Sequence, residues 1–311
     1  MPWVNYDKNP ILDSGPCASF DESFASWGSI LEHKSKLYLY YSGKDAYGKI
    51  RIGLAISSNG RDFKKYEMNP ILNTGNQGSW DEYFAYCPIV WKTQDENFMM
   101  IYTGCDNPKY SNHIQVGFAS SSNGLVWEKS ECNPIFNISD KRLKNRHGQF
   151  ETEAWGFYFD TEGYYLLYNS VSKHPRQIFA AFSKDLIKWT RIDSKPLLPS
   201  EGKKEELGYM KYCASIFHYD SSFYIASAVS NNSYSKSAIG VWKFDEIHPK
   251  SNREFIGYIM EPDDEWNSHE LDTPLLRSNN QNDEIDCYYG GRSRYNVWRL
   301  GVASGKLKVS Q

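Results

Sequence analysis

The chain has 311 residues, and its 35 Lys and Arg against 38 Asp and Glu give a formal net charge of -3. Such a chain lacks the basic footprint of a nucleic-acid-binding protein, so no nucleic-acid partner is expected. The sequence contains neither an 18-residue apolar run nor a basic start followed by an apolar segment, so neither membrane insertion nor export is expected. A cytoplasmic location is therefore predicted, and the oligomeric state stays open.

The six cysteines are spread along the chain without a close metal-binding pair, which favours a reduced compartment. The sequence also lacks a Gly-rich phosphate loop, a serine nucleophile elbow and a His-Glu-x-x-His motif. No metal and no cofactor are therefore predicted.

Two stretches near the start of the chain are near copies. Asn9-Pro-Ile-Leu12 and Phe20-Asp-Glu-Ser-Phe-Ala25 recur 60 residues later as Asn69-Pro-Ile-Leu72 and Trp80-Asp-Glu-Tyr-Phe-Ala85, and a third Asn-Pro begins at Asn133. A long repeat indicates an array of like units. A polar residue that recurs in each unit is expected to be structural, and one that occurs in a single unit needs another explanation.

Each unit contains short β-branched and aromatic runs separated by turn residues. In the first unit these runs cover 25–31, 37–41 and 50–56, followed by Ser57-Ser-Asn-Gly60 and Phe63. The pattern predicts successive antiparallel strands, with Asn59-Gly60 as a two-residue hairpin turn. Four further units follow the same plan.

Five units of about four strands predict an all-β, five-bladed β-propeller. One domain is expected over residues 1–311, with blades at roughly 9–68, 69–132, 133–195, 196–262 and 263–311. A β-solenoid is disfavoured because its coils are much shorter. The sequence leaves open which terminal strand closes the ring.

Aligning the units at the first strand, which lines the axis of a propeller, reveals where they differ. Two units place Ala25 and Ala85 there, and the others place Glu153, Lys211 and Asp272, the last of these aligned loosely and one place out of step. Charges converging on an axis form either a mutual salt-bridge plug or a functional site, and both interpretations remain open.

The surroundings of these charges supply candidates for substrate binding. Glu151 and Glu270 precede Glu153 and Asp272 by two residues, a spacing that shares a face on a strand. Aromatic rings at the first strands suit the C–H faces of sugars, and the arginines after the Gly290-Gly291 break suit an acidic or phosphorylated group. The candidate substrate-binding residues are Trp27, Tyr86, Glu151, Trp155, Lys211, Tyr212, Glu270, Arg292 and Arg294.

Asp21 and Asp81 recur with their aromatic predecessors Phe20 and Trp80. Recurrence favours a structural role, in which each carboxylate holds a loop by accepting backbone N–H bonds in an Asx-type turn. They are also the nearest carboxylates upstream of the first two inner strands, and so remain catalytic candidates.

The Asn-Pro-(Ile/Leu) openings, the Trp-Asp before an inner strand, the Tyr-Tyr-(Ser/Thr)-Gly strand end and the Ser-Ser-Asn-Gly hairpin resemble the five-bladed propeller glycosidases. That group includes glycoside hydrolase families 43 and 32 and the related mannoside phosphorylases. The resemblance implies catalytic carboxylates on the innermost strands and places Glu153 within about one residue of the third-blade acid. Where the family pattern has Asp in the first and second blades, this chain has Ser26-Trp27 and Cys87-Pro88.

The resemblance therefore implies a glycoside hydrolase-like enzyme acting on an oligosaccharide or activated sugar. Glu153 is expected to be the acid, with Asp272, Asp81 or Asp21 as the second carboxylate that such chemistry requires. A glycosyltransferase or phosphorylase of surface-glycan metabolism and a non-catalytic carbohydrate-binding propeller are the alternatives.

Overall fold

The computed structural model describes residues 3–107, 114–135, 152–170, 175–233, 237–263, 265–279 and 284–307. Across these ranges the chain forms twenty β-strands and no helix. It follows that the described residues include no helix with the length and apolarity needed to cross a bilayer.

The strands are grouped in chain order, four to a blade, except that the first strand joins the last blade. That strand is β1 (Val4–Asn5). The first blade contains β2 (Phe24–His33), β3 (Lys36–Lys44), β4 (Ile50–Ser57) and β5 (Lys64–Lys65). The second contains β6 (Phe84–Lys92), β7 (Phe98–Cys105), β8 (Gln115–Ser121) and β9 (Glu128–Lys129).

The later blades follow the same plan. The third contains β10 (Thr152–Phe159), β11 (Tyr164–Ser170), β12 (Phe179–Ser183) and β13 (Thr190–Arg191). The fourth contains β14 (Met210–Tyr219), β15 (Ser222–Ser230), β16 (Ser237–Phe244) and β17 (Arg253–Met260). The fifth contains β18 (Glu270–Asn279), β19 (Glu284–Arg292) and β20 (Trp298–Gly305).

Within each blade, consecutive strands pair antiparallel, and the fifth blade is completed by β1 in the order β1-β20-β19-β18. The N-terminal strand therefore closes the ring, which answers the question that the sequence left open. The first two blades are also joined by a single parallel pair, Ile50 with Phe84. The predicted five-bladed β-propeller is confirmed.

Every inner strand carries a β-bulge close to its start. The register with the second strand shifts after Ser26, Tyr86, Ala154, Tyr212 and Asp272 in the five blades. A bulge re-aims the neighbouring side chains, and bulges are frequent beside active sites. The strand registers correct the sequence alignment, because Glu153 occupies the position that Asp272 has in the fifth blade and that Ser26, Tyr86 and Tyr212 have in the others, so the two carboxyls are in step.

The residues after the bulge carry backbone strain. Trp27, Cys87, Cys213 and Thr273 all have φ between 43° and 53°. Such conformations cost about 1–3 kcal/mol each for a residue with a Cβ, and they concentrate at functional sites. The strained positions therefore mark one end of the axis as the region to examine.

The apolar core lies between the faces of neighbouring blades. Leu54, Met100 and Val90 pack between the first two blades, while Leu167, Ile225 and Trp242 pack between the third and fourth. Each fully buried side chain of this size contributes about 1.5–3 kcal/mol. Packing of this kind fixes the rotation of each blade and hence the position of its inner strand.

The repeated Asn-Pro motifs are structural. The amide of Asn69 accepts a bond from the N–H of Leu54 and donates to its carbonyl oxygen, at 2.8 and 2.9 Å. Asn133 and Asn9 make the same pair of bonds to Phe118 and Val302. Each asparagine thus fastens the start of one blade to the third strand of the blade before it.

The two-residue hairpin predicted at Asn59-Gly60 is wrong. β4 ends at Ser57 and β5 begins at Lys64, so six residues connect them. The Asn59 side chain accepts bonds from the N–H groups of Arg61 and Asp62 and so builds a wider loop. Side-chain capping of this kind competes with the tight turn.

Candidate active site

Glu153, the second residue of β10, is 8% exposed. It accepts a hydrogen bond from the Tyr86 hydroxyl at 3.1 Å and one from the Asn169 amide at 3.4 Å. The Arg176 guanidinium lies 3.8 Å from Oε2, the oxygen that accepts from Asn169. Two donors and a cation therefore surround a carboxylate at a position where the neighbouring blades have Tyr86 and Tyr212.

Asp272, at the bulge of β18, is 4% exposed. It accepts bonds from the indole N–H of Trp27 at 2.8 Å and from the Thr273 hydroxyl at 3.0 Å. Burial raises the pKa of Asp272 well above its usual range, and the charge of Glu270 raises it further; the two hydrogen bonds act in the opposite direction. Asp272 is therefore a carboxyl group that keeps its proton at pH values where most carboxyls have lost theirs.

Space for this carboxyl comes from a glycine on the adjacent strand. A Cβ on Gly290 would lie 2.1 Å from Oδ1 of Asp272, so a larger residue there would displace it. The Gly290-Gly291 pair, which interrupts the last unit of the sequence, thus accommodates the carboxyl of Asp272.

A chain of contacts connects the two carboxyl groups. The ring of Trp27, which is bonded to Asp272, lies 6.1 Å from the ring of Tyr86, which is bonded to Glu153. Burial raises the pKa of the Cys87 and Cys213 thiols, and the charges of both Glu153 and Asp272 raise each of them further. The contacts from Asp272 through Trp27 and Tyr86 to Glu153 place both carboxyls around one end of the axis.

Glu270 forms a second charged group at this end. It accepts a 2.6 Å bond from the Tyr212 hydroxyl, and its other oxygen accepts bonds from Arg292 at 3.0 and 2.6 Å. The Arg292 guanidinium also lies 5.6 Å from the ring of Trp298. Arg292 is therefore held at the mouth by a bonded, largely buried partner.

Aromatic side chains line the same region. Trp27 packs against Phe24 and Trp298, with ring centroids 4.7 and 5.7 Å apart. Trp155 contacts the apolar groups around both Tyr86 and Tyr212. These rings offer faces against which the C–H surface of a sugar can pack.

Asp21 and Asp81 have the same surroundings in their two blades. Asp21 accepts bonds from Tyr41 and Ser19 and pairs with Lys65 at 2.6 Å. Asp81 makes the equivalent contacts with Tyr102, Ser79 and Lys129, also at 2.6 Å for the lysine. Both carboxylates tie the loop before an inner strand to the outermost strand of the blade, through side-chain donors and not the backbone N–H bonds of an Asx turn.

The remaining predicted residues are placed differently. The Lys211 ammonium is 1% exposed and donates to the carbonyl oxygens of Pro199 and Gly208 at 2.7 and 2.8 Å, so it fastens that loop. Arg294, on the turn between β19 and β20, is 64% exposed and donates to the Tyr295 hydroxyl. Glu151 lies outside the described residues.

The sequence interpretation missed three residues at this mouth, namely Asn169, Arg176 and Trp298. Asn169 pairs with Glu153 where Ser42 pairs with Ser26 and Thr103 with Tyr86. The strand registers likewise align Arg176 and Trp298 with Ile50 of the first blade. Extending the repeat alignment beyond the inner strand would have identified all three as departures from the pattern.

A propeller whose mouth gathers buried carboxyls, arginines and aromatic rings has the layout of a carbohydrate-active enzyme. A family model described as beta-1,4-mannooligosaccharide phosphorylase, glycoside hydrolase family 130, matches residues 33–269. The chain therefore belongs to glycoside hydrolase family 130. No curated protein sequence matches it.

Solved structures share the fold at low sequence identity. A putative glycoside hydrolase from Bacteroides ovatus has a TM-score of 0.73 at 17% identity, covering 99% of this chain and 98% of its own. A structure from work on family 130, whose members are described there as including glycoside hydrolases that target β-1,2-mannosidic linkages in Candida mannan, has a TM-score of 0.72 at 17% identity, covering 99% and 95%. A thermostable family-43 glycoside hydrolase has a TM-score of 0.67 at 15% identity, covering 97% and 93%.

These findings confirm the expectation of a glycoside hydrolase-like enzyme. Of the families that the sequence resembles, the one to which the chain belongs is that of the mannoside phosphorylases. Family 43 shares the fold. The region of the chain that the structure describes contains no group of three His, Cys, Asp or Glu residues able to hold a metal ion.

Proposed function

We propose that this protein cleaves a β-mannosidic bond of an oligosaccharide, using Glu153 and Asp272 at the mouth of the propeller. The family match supplies the reaction class and the mannoside substrate. The observation that carries the site is that these two buried carboxyls interrupt the pseudo-symmetry of the blades and are connected through Trp27 and Tyr86.

The surroundings of the two groups suggest their roles. A general acid must hold a proton at working pH, and burial raises the pKa of Asp272 accordingly. Glu153 faces Arg176 and two hydrogen-bond donors, contacts that stabilise a charged carboxylate. We therefore assign Asp272 as the proton donor to the leaving oxygen and Glu153 as its charged partner, the reverse of the assignment that the family resemblance implied.

In this scheme the oxygen of a water molecule bonds to the anomeric carbon and gives its proton to Glu153, while the glycosidic C–O bond breaks and Asp272 protonates the departing oxygen. Trp27 orients Asp272, and Tyr86 together with Asn169 orients Glu153. Both carboxyl groups are largely buried, Glu153 at 8% and Asp272 at 4% exposure.

Phosphorolysis is the second candidate for the same site. Arg176 and Arg292 both bring guanidinium groups to the mouth, and a guanidinium matches the geometry of phosphate. In that reaction phosphate, instead of water, would take the mannosyl group.

The test is to incubate the protein with β-1,2- and β-1,4-linked mannooligosaccharides with and without inorganic phosphate. Free mannose independent of phosphate identifies a hydrolase, and mannose 1-phosphate that requires phosphate identifies a phosphorylase. Glu153→Gln should abolish the activity, and Asp272→Asn should lower kcat by about 10²- to 10⁴-fold. Absence of either product from every mannoside, in protein shown to be folded, would contradict the proposal.

A further inference from the structure

A second cleft lies between the third and fourth blades, away from the mouth. Its volume is about 550 Å³, and Tyr165, Phe182 and Phe223 contribute to its lining. Its rim includes Asp160, which directly follows the last residue of β10, whereas Glu153 is the second residue of that strand. At about 3.3 Å per residue the two positions are roughly 20 Å apart, so the cleft belongs to the opposite end of the blade.

The junction between the third and fourth blades lacks a hydrogen bond that joins the first blade to the second and the fifth blade to the first. Between the first and second blades, the Tyr40 hydroxyl donates to the carbonyl of Gly124 at 3.1 Å. Between the fifth and first blades, Tyr288 donates to Gly60 in the same way at 3.2 Å. The strand register places Leu167 at the equivalent position of the third blade, and a leucine has no hydroxyl with which to reach the next blade.

The fourth blade contributes to the same departure. Where the first two blades have the short Ser-Ser-Asn-Gly segment after the third strand, the fourth has Asp245-Glu-Ile-His248 after β16. The side chains of Glu246, Ile247 and His248 line the cleft. The missing hydroxyl is not unique to this junction, since Ile101 and Ala226 stand at the same position of the second and fourth blades, and it is the Asp245–His248 segment that gives this cleft its own lining.

The lining of the cleft combines aromatic faces with unpaired polar groups. The rings of Tyr165 and Phe182 lie 5.1 Å apart and edge to face, and Phe223 lies on the other side of the cleft. Burial raises the pKa of Tyr165, and the nearby charges of Asp160, Glu162 and Glu246 raise it further. In the described part of the chain neither Glu162 nor Glu246 has an ion-pair partner for its carboxylate.

We propose that this cleft is a second, non-catalytic binding site for a neutral oligosaccharide. Sugar C–H faces pack on aromatic rings, and sugar hydroxyls donate to carboxylates and accept from Lys184, which also lines the cleft. The cleft is also within the size range of small-molecule sites. The choice of mannosides as the ligand rests on the proposed function, whereas the cleft itself does not.

Isothermal titration with mannotetraose tests the site in a Glu153→Gln background, in which turnover is stopped and the mouth still binds. We expect two binding events, one of which is weakened about tenfold by Phe182→Ala because an aromatic contact is lost. Glu246→Ala, on the exposed rim, should weaken the same event without affecting folding. The matched control is Ile56→Ala, since Ile56 occupies the position of Phe182 in the first blade.

The experiment measures binding and not activity, so the second site can be tested even if the proposed function fails. Loss of binding at the mouth alone would remove one binding event and leave the event that Phe182→Ala weakens. The proposal is overturned if Phe182→Ala and Glu246→Ala bind mannotetraose exactly as their parent does. It is equally overturned if tetramethylammonium, a cation suited to an aromatic and acidic cleft, binds there and mannotetraose does not.

Discussion

The indole N–H of Trp27 donates a 2.8 Å hydrogen bond to Oδ2 of Asp272, joining the inner strand of the first blade to that of the fifth. The two residues are 245 positions apart in the chain. The bond spans the junction at which the ring closes, so the orientation of the Asp272 carboxyl depends on closure by β1 and β20. Ring closure and catalysis are thus expected to be linked.

Trp27→Phe should shift the pH dependence of the reaction upwards. The bond from Trp27 lowers the pKa of Asp272, so removing it leaves the carboxyl protonated to higher pH. If Asp272 is the acid, the alkaline limb of kcat/KM should move to higher pH while the maximum rate falls through loss of orientation. A pH–rate profile measures this. Trp155→Phe, on the inner strand of the third blade, is the control and should leave that limb in place.

Asp272→Asn should lower kcat by about 10²- to 10⁴-fold, the usual contribution of a general acid. It should also change how stability depends on pH. Because the pKa of Asp272 is raised in the folded state, the native protein binds more protons than the unfolded chain between pH about 3.9 and the raised pKa. Wild-type stability therefore falls as pH rises through that window.

The asparagine variant does not titrate at this position and so lacks this loss. Its free energy of unfolding relative to that of wild type should therefore increase from acidic to neutral pH. Urea denaturation at several pH values measures the difference. A constant difference across the range would show that Asp272 does not carry the raised pKa in the native protein.

Glu153→Gln should abolish turnover and leave the affinity for an oligosaccharide nearly unchanged. The amide keeps the shape of the side chain and can still accept from Tyr86, but it carries no charge for catalysis. Single-turnover kinetics and titration with a mannooligosaccharide separate the two effects. Full activity in this variant would remove Glu153 from the mechanism, and equal loss of binding and folding would indicate a structural role.

Asp81→Ala should destabilise the protein by about 2–3 kcal/mol without changing kcat of the folded fraction. The substitution leaves the Tyr102 hydroxyl and Lys129 without their shared acceptor. Asp81→Asn should cost less, because Asn267 stands at the corresponding place in the fifth blade and bonds to Tyr289. Urea unfolding and active-site-normalised rates provide the test. A large fall in kcat in stable protein would return Asp81 to the catalytic candidates.

Much of the fold could be predicted from the chain alone, since the strands depend on local alternation and the repeat spacing counts the blades. The same alignment singled out Glu153 and Asp272, because a charge that interrupts a repeat of Ala is visible without coordinates. The closing strand could not be predicted, because the two residues of β1 carry too short a pattern. The Asn59 loop also differed, since a capping side chain outweighed the turn preference of its backbone.

The sequence by itself determined the blade count, the inner strands and the positions where symmetry fails. The tertiary structure decided what those positions do. In it Lys211 donates to two carbonyl oxygens, Asp81 pairs with Lys129, and Trp27 donates to Asp272. Strand patterns arise from neighbours in the chain, whereas protonation and hydrogen bonding arise from neighbours in space. At a propeller axis those neighbours come from different blades, and only the packing of the closed ring brings them together.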